Sequence, residues 1–207
     1  MSPRPYHLGK REEEVTQTRE RLLQAARSLL EQAGFHRLSL ERVAKQANVS
    51  RLTVYYQFGS KLGLLEAVVE DAIQRAGMAQ LLQAIDLPDP AKALRASIQA
   101  GCHFWATEHA LFRRVIGLAA VDPETRQIVD AREATRRSVL GHLIERLDNQ
   151  KRLRSDCSPQ KALDVLWLLT SFGTFDDLFS GCGRSVEEIV IMLLDLIQCV
   201  LAEPLTV

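Results

Sequence analysis

Apolar residues recur at intervals of three and four along almost the whole chain, which is the spacing of one face of an α-helix. From about Val15 the pattern runs through Leu22, Ala26 and Leu30. Residues 1 to about 14 are polar and contain two prolines, so they predict a flexible arm. No segment alternates apolar and polar residues as a half-buried strand does, and the sequence therefore predicts an all-α protein.

Capping residues mark where the first predicted helices begin and end. Gly34, followed by Phe35, predicts the end of the first helix, because glycine tolerates the backbone of a helix C-terminus. Ser39 and Ser50 are good N-caps for a second and a third helix. Gly59 and Ser60 then separate the third helix from a fourth, which we expect over 61–84.

The later helices are predicted from a proline in the first turn preceded by a capping residue. This arrangement occurs at Asp89, Asp122 and Ser158, and Ser185 with Glu188 forms a capping box. The predicted helices cover 90–108, 110–120, 123–149, 159–179 and 186–202.

The second and third helices are short and are joined by a tight turn. Asn48 lies at the turn and is one of the few residues besides glycine that tolerate a left-handed backbone. The apolar residues of both helices can face one small core: Val43, Ala44, Ala47, Val49, Val54 and Phe58. Two such helices with a polar, basic outer surface indicate a helix-turn-helix, whose second helix enters the major groove of DNA.

The candidate DNA contacts lie at the helix starts and on the outer faces of the third helix. Arg51 could donate two hydrogen bonds to a guanine edge, and the methyl group of Thr53 could contact thymine. Tyr55 and Lys61 suit phosphates, which position a protein without specifying sequence. Alternatively, the two tyrosines are core aromatics of a small bundle. The full candidate set is Ser39, Ser50, Arg51, Leu52, Thr53, Tyr55, Tyr56, Gln57 and Lys61.

The run "GFHRLSLERVAKQANVSRLTVYYQFGSKLGLL" resembles the N-terminal DNA-binding domain of the TetR (tetracycline-repressor-like) family of bacterial transcriptional regulators. The matching positions are Gly34-Phe35, Ser39, Val43-Ala44, Ala47, Val49-Ser50, Thr53, Tyr55, Phe58 and Ser60-Lys61. Asn48 replaces the usual glycine, and Leu52 replaces a small residue or proline. The resemblance implies an all-α homodimer whose C-terminal domain binds a small effector. Effector binding would move the two DNA-binding heads apart and release the operator.

The predicted domains are an arm over 1–15, a helix-turn-helix domain over 16–62, and an effector-binding and dimerisation domain over 63–207. Residues 1–61 contain 11 Lys and Arg against 6 Asp and Glu, a net charge of +5, whereas the whole chain is neutral. Such an excess of positive charge is typical of an anion-binding segment.

The last two predicted helices, 159–179 and 186–202, are apolar on much more than one face and must be covered on most sides. We expect a second copy of the chain to cover them in a homodimer, which would suit a palindromic double-stranded DNA operator. The alternative is a buried central helix in a monomer.

The C-terminal part contains aromatic residues suited to a hydrophobic or aromatic effector. The candidates are His103, Phe104, Trp105, His109, Phe112, Trp167, Phe172 and Phe175. Each could instead be an ordinary core residue. His103, Glu108 and His109 do not have a spacing that defines a metal site, and we expect neither a metal nor another cofactor.

The four cysteines have no CxxC spacing, so we interpret them as reduced thiols of a cytoplasmic protein, with a thiol sensor as the alternative. Neither a signal peptide nor a membrane-spanning segment is predicted. We find no enzyme motif and expect no catalytic residues. The sequence thus favours a ligand-responsive DNA-binding regulator, with repression the commoner mode of the family. A helical protein–protein adaptor is the alternative.

Overall fold

The computed structural model describes residues 8–33 and 38–203, with side-chain detail for 13–32 and 38–203. Within these residues the chain forms α-helices and no β-strand, apart from one antiparallel bridge between Leu153 and Leu201. The all-α prediction is confirmed. The helices are α1 Leu8–Ala33, α2 Leu40–Ala47, α3 Arg51–Phe58, α4 Lys61–Arg75, α5 Met78–Ile85, α6 Pro90–Thr107, α7 His109–Ala119, α8 Pro123–Asn149, α9 Pro159–Leu169, α10 Phe172–Asp176 and α11 Val186–Ile197, with a π-helical turn Asp177–Gly181 and a 3₁₀ turn Gln198–Val200.

The first helix begins at Leu8, seven residues before the predicted start at Val15. The polar stretch rich in Glu and Arg had indicated an arm, but these residues are good helix formers, and the stretch continues directly into the helix that follows it. Residues 1–7 of the predicted arm lie outside the described residues, as does the predicted helix stop at Gly34-Phe35.

Three of the predicted long helices are shorter in the structure. The predicted helix 61–84 is broken at Gly77, whose backbone is left-handed at φ 92°. The predicted helix 159–179 is broken at Ser171, whose side chain accepts the Thr174 N–H at 3.1 Å and caps α10. The last helix ends at Ile197 in the 3₁₀ turn instead of reaching residue 202. Apolar periodicity had outweighed these local signals in the sequence.

The proline-preceded helix starts are confirmed. Asp89, Asp122 and Ser158 each accept a backbone N–H of the first turn that follows. Ser185 and Glu188 form the predicted capping box, with both reciprocal hydrogen bonds present. Local capping chemistry therefore fixes the starts of α6, α8, α9 and α11.

The chain divides into two compact units, Met1–Asp71 and Ala72–Val207, and the division falls within α4. The predicted functional border after residue 62 remains a prediction. Helices α1 to α4 of the first unit contribute a small apolar core, and its largest fully buried members are Leu22, Leu30, Leu38, Leu64 and Leu65. This core fixes the orientation of the helix-turn-helix.

The core of the second unit is formed mainly by α6, α8, α9 and α11. Leu94, Leu143, Leu147, Leu166 and Ile189 are completely inaccessible to solvent within it. In the stretches of chain that the structure covers, no helix combines the length and the apolar character needed to cross a bilayer.

Candidate nucleic-acid interface and aromatic cluster

Helix α2 is closed at both ends by polar caps. At its start, Ser39 is extended and its Oγ accepts the Arg42 N–H at 3.2 Å. At its end, Asn48 adopts the predicted left-handed conformation, with φ 54° and ψ 50°. The N–H groups of Asn48 and Val49 bond to carbonyls of the last turn of α2, at 3.3 and 3.0 Å. The chain therefore turns sharply, and α3 starts two residues later.

Helix α3 is anchored by its cap and by one apolar face. Ser50 Oγ accepts the Thr53 N–H at 3.0 Å. Val54 is completely buried, whereas Phe58 is half-buried beneath the guanidinium of Arg19, 4.8 Å from the ring centroid. Both residues face the bundle, as the sequence predicted, and the opposite side of α3 is left open.

The open side of α3 carries large side chains in contact with solvent. Leu52, Tyr55 and Tyr56 are 56, 56 and 78% exposed, so neither tyrosine is a core aromatic. Arg51 is also exposed, and Gln57 is half-buried. No residue of α3 is acidic. The surface thus combines a cation, hydrogen-bonding groups and apolar groups, which is the chemistry that reads base edges.

The two hydroxyl groups at the start of α3 are already bonded to each other. Ser50 Oγ and Thr53 Oγ1 lie 2.9 Å apart, and either can be the donor. Ser39 Oγ accepts a backbone N–H, so its own proton remains able to donate to a phosphate oxygen. The predicted roles of these residues in DNA contact remain predictions.

The junction between α3 and α4 depends on Gly63, a residue that sequence reasoning missed. Gly59 ends α3 with φ 71°, and Ser60 Oγ caps α4 by accepting the Gly63 N–H at 2.9 Å. A β-carbon at Gly63 would overlap the carbonyl oxygen of Phe58. The signal was a glycine in the first turn of a helix, where alanine is otherwise favoured. Lys61, the first residue of α4, lies beside this junction.

Six of the eight predicted effector residues meet in the second unit. The rings of Phe104, Trp105 and Phe112 are 5.0 to 5.4 Å apart, and Trp105 also contacts Phe172 at 5.4 Å. The His109 ring stacks on Phe172 at 5.6 Å. Phe175 contacts His109 at 6.2 Å and completes the set. We call this set, with Phe179, the aromatic cluster.

Phe179 was missed, although it lies four residues after Phe175 and therefore on the same side of a helical segment. Its ring is stacked on Phe175 at 5.2 Å and lies edge-on to His109 at 5.1 Å. The other two predicted residues lie apart. The ring of Trp167 faces the guanidinium groups of Arg136 and Arg137 at 5.4 and 5.5 Å. His103 is exposed and has no ring contact with the cluster among the described residues.

The aromatic cluster is closely packed and borders a small cavity of about 10 Å³, room for about one water molecule. Trp105, Phe175 and Cys102 line it, together with Thr170 and Ser171 at the break between α9 and α10. Trp105 Nε1 donates to the Thr170 carbonyl at 3.0 Å and fixes one wall. Burial raises the pKa of Cys102 to about 12, so this thiol stays protonated and unreactive.

His109 connects the aromatic cluster to polar groups. Its Nε2 lies 2.7 Å from Asp176 Oδ1 and 3.3 Å from Ser180 Oγ. Partial burial would raise the pKa of Asp176, but the hydrogen bonds from His109 and Ser180 and the charge of Arg113 outweigh it, and the pKa lies below its ordinary value. Because serine and aspartate approach the same ring nitrogen, these groups cannot act as a Ser-His-Asp relay, which needs both nitrogens.

No group of three or more His, Cys, Asp and Glu side chains that could hold a metal ion occurs in the described part of the chain. The predicted absence of a metal site remains a prediction.

The first compact unit is similar to a known family of proteins. Residues 22–68 match the family model for bacterial regulatory proteins of the tetR family, which confirms the resemblance drawn from the sequence. The HTH-type transcriptional regulator BetI of Yersinia pestis is 36% identical over 80 residues, which are 38% of this chain and 40% of BetI. The chain thus matches about two fifths of the length of that relative.

Two further similarities extend over more of the chain. The HTH-type transcriptional repressor BepR of Brucella suis is 29% identical over 148 residues, covering 69% of this chain and 62% of BepR. The solved SmeT–triclosan complex superposes with a TM-score of 0.75 at 18% identity, covering 92% of this chain and 95% of SmeT. BetI and BepR are named as transcriptional regulators, in agreement with the prediction that the chain is not an enzyme, and the similarity to SmeT shows a shared fold.

Proposed function

We propose that this chain, a TetR-family transcriptional regulator, is a repressor that binds a palindromic operator as a homodimer and is released by a small hydrophobic or aromatic effector. The observation that carries the proposal is the geometry of α2 and α3. Two capped eight-residue helices meet at a left-handed Asn48, and α3 keeps Val54 buried while it exposes Arg51, Leu52, Tyr55 and Tyr56.

DNA is the partner that fits this surface. A helix fits the major groove, and the residues of α3 offer both charge-assisted donors and apolar contacts to base edges. Around α3, the positive N-terminal segment and the helix starts at Ser39 and Ser60 favour phosphate oxygens. The contacts of Arg51 would specify a base, whereas Lys61 would position the protein on the phosphate backbone.

Homodimerisation is supported by an uncovered apolar surface on α9 and α11. The exposed fractions of Leu168, Ile191 and Leu196 are 60, 60 and 51%. Met192 lies on the same helix as Ile191 and is 36% exposed. Large apolar side chains grouped on neighbouring helices are typical of an interface. A second copy of the chain would cover them and would present a second α3 to the other half of a palindromic site.

The effector proposal rests on the aromatic cluster and its adjoining cavity. Trp105, Phe175 and Cys102 line the cavity, and their side chains suit an uncharged apolar or aromatic compound. A bound aromatic ligand, triclosan, is present in SmeT, which has the same fold. Because the cavity has room for only about one water molecule, an effector must displace rings of the cluster, and this rearrangement is the proposed signal.

The test of DNA binding is selection from a random duplex library, repeated at two salt concentrations. An enriched palindrome, bound less tightly as salt rises, supports the proposal because phosphate contacts release counterions. Absence of enrichment together with weak salt dependence would contradict it and favour the adaptor alternative.

Two variants separate specificity from positioning once an operator is known. Arg51→Ala should relax the base preference at one position and cost about 1–3 kcal/mol if the residue reads a guanine. Lys61→Ala should weaken binding to all sequences alike and lower the salt slope by about one. If Arg51→Ala weakens all sequences equally, Arg51 is a phosphate contact only.

A pair of matched variants tests the dimer. Ile191→Glu places a charge on the apolar surface of α9 and α11, whereas Val121→Glu places one on an 81% exposed valine between α7 and α8. Light scattering should show a dimer for the wild type and Val121→Glu and a monomer for Ile191→Glu. A monomeric wild type at micromolar concentration would contradict the proposed homodimer.

A further inference from the structure

Leu52 and Tyr56 form the outermost edge of α3. An α-helix turns about 100° per residue, so both lie about 160° from the buried Val54, on either side of the direction pointing directly away from the bundle. Their positions four residues apart bring the side chains together on the surface. Their exposures of 56 and 78% agree with this placement. We call the pair the apolar edge.

The apolar edge is flanked by groups that hydrogen-bond. Arg51 and Tyr55 lie on one side and Thr53 on the other, at angles closer to the bundle. When α3 enters a major groove with this side leading, Leu52 and Tyr56 approach the floor of the groove first. The flanking groups then lie nearer the groove walls, where Tyr55 can meet a phosphate and the long side chain of Arg51 can still extend to a neighbouring base edge.

The largest apolar group on the floor of the major groove is the C5-methyl of thymine. The C5–H of cytosine and the C8–H of purines offer less apolar surface, and the remaining edge atoms are hydrogen-bond donors or acceptors, which a leucine side chain would desolvate without replacement. An apolar residue at the leading edge of a recognition helix therefore binds more favourably at a thymine than at the other bases.

We infer that Leu52 is a specificity residue, which selects a thymine in each operator half-site by packing against its 5-methyl group. This inference rests on the proposed DNA-binding function. It assigns to Leu52 a readout independent of the guanine contact proposed for Arg51. Tyr56, one turn later, extends the same apolar surface and excludes water from the contact.

The test replaces thymine by deoxyuridine, which removes only the methyl group. The probe is the duplex enriched by library selection, with each thymine of one half-site replaced singly, and binding is measured by fluorescence anisotropy. For the wild type, one replacement should weaken binding about fourfold, the effect of burying one methyl-sized group. For Leu52→Ala, that same replacement should change binding less than twofold, while Leu52→Met should retain most of the methyl dependence.

The control is Leu82→Ala, which truncates a 45% exposed leucine on α5 in the other unit and should leave the fourfold effect intact. Leu52 is on the surface, so its truncation leaves the core unchanged, and far-ultraviolet circular dichroism confirms the fold. If no thymine shows a methyl dependence, or if Leu52→Ala keeps it in full, the inference is overturned while operator binding stands. If no duplex is bound at all, the proposed function itself fails.

Discussion

Replacing Gly63 by alanine tests the structure of the α3–α4 junction, because two physical effects oppose each other there. Alanine is up to about 1 kcal/mol more favourable than glycine within a helix, so helix propensity alone predicts stabilisation. The structure predicts the opposite. The added β-carbon would lie closer to the Phe58 carbonyl oxygen than the 3.0 Å that real β-carbons keep.

The magnitude follows from what the Phe58 carbonyl does. It accepts the Ser60 N–H at 2.8 Å, and it cannot move away from the new methyl group without straining that bond. A forced backbone shift typically costs about 1–3 kcal/mol, and loss of one hydrogen bond about 0.5–1.5 kcal/mol. After subtraction of the propensity gain, Gly63→Ala should destabilise the first unit by about 2 kcal/mol. It should also weaken operator binding, because Phe58 ends α3.

The assay is native-state amide hydrogen exchange of Leu64 and Leu65, which are fully buried and report opening of the first unit separately from the second. The control is Gly117→Ala in α7, where an added β-carbon has no neighbour within 4 Å. It should stabilise the second unit by up to about 1 kcal/mol. Gly117→Ala is expected to slow amide exchange in the second unit. If Gly63→Ala likewise slows the exchange of Leu64 and Leu65 in the first unit, the close approach to Phe58 is absent and the reasoning is refuted.

Three further substitutions test local features by urea unfolding. Ser50→Ala removes the cap that accepts the Thr53 N–H and should cost about 1 kcal/mol, whereas an unchanged midpoint would show that the cap is dispensable. Arg146→Met removes guanidinium hydrogen bonds to the backbone carbonyls of Ile85, at the end of α5, and Pro88, and should cost about 1–3 kcal/mol, whereas a cost near zero would contradict those bonds. Because its folded-state pKa lies below the ordinary value, Asp176 stabilises the fold when ionised, above its unfolded pKa of about 3.8, and this contribution is lost as pH falls through the folded pKa. The stability difference between wild type and Asp176→Asn should therefore be largest near neutral pH and shrink below about pH 4, and a difference independent of pH would exclude the charged interaction.

The surface of α3 could be foreseen in detail because its determinants are local. Ser50 and Gly59 bracket eight residues, and the spacing of Val54 and Phe58 decides which side faces inward. The remaining side chains then point outward by geometry alone. For the same reason, the left-handed turn at Asn48 followed from residue type.

The contacts within the aromatic cluster could not be predicted from the sequence. Residue type identified aromatic side chains suited to an apolar site, and the structure brings Trp105 and Phe172 together across 67 positions of the chain. It leaves Trp167 beside Arg136, on a different part of the unit. Which rings meet depends on how the helices pack, and no capping or spacing signal encodes that.

The sequence by itself thus determined the all-α class, most helix starts and the solvent-exposed side of α3, since these depend on residues within about one helical turn of each other. Only the three-dimensional structure decided that the cluster is closely packed beside a cavity of about 10 Å³, and that Gly63 must lack a side chain. The cavity depends on the packing of distant helices, and the constraint on Gly63 depends on the backbone path through the α3–α4 junction, which brings the Phe58 carbonyl against it. The helix breaks at Gly77 and Ser171 depend on both kinds of information. The residue types permit a break, and the surrounding packing favours it over a continuous helix.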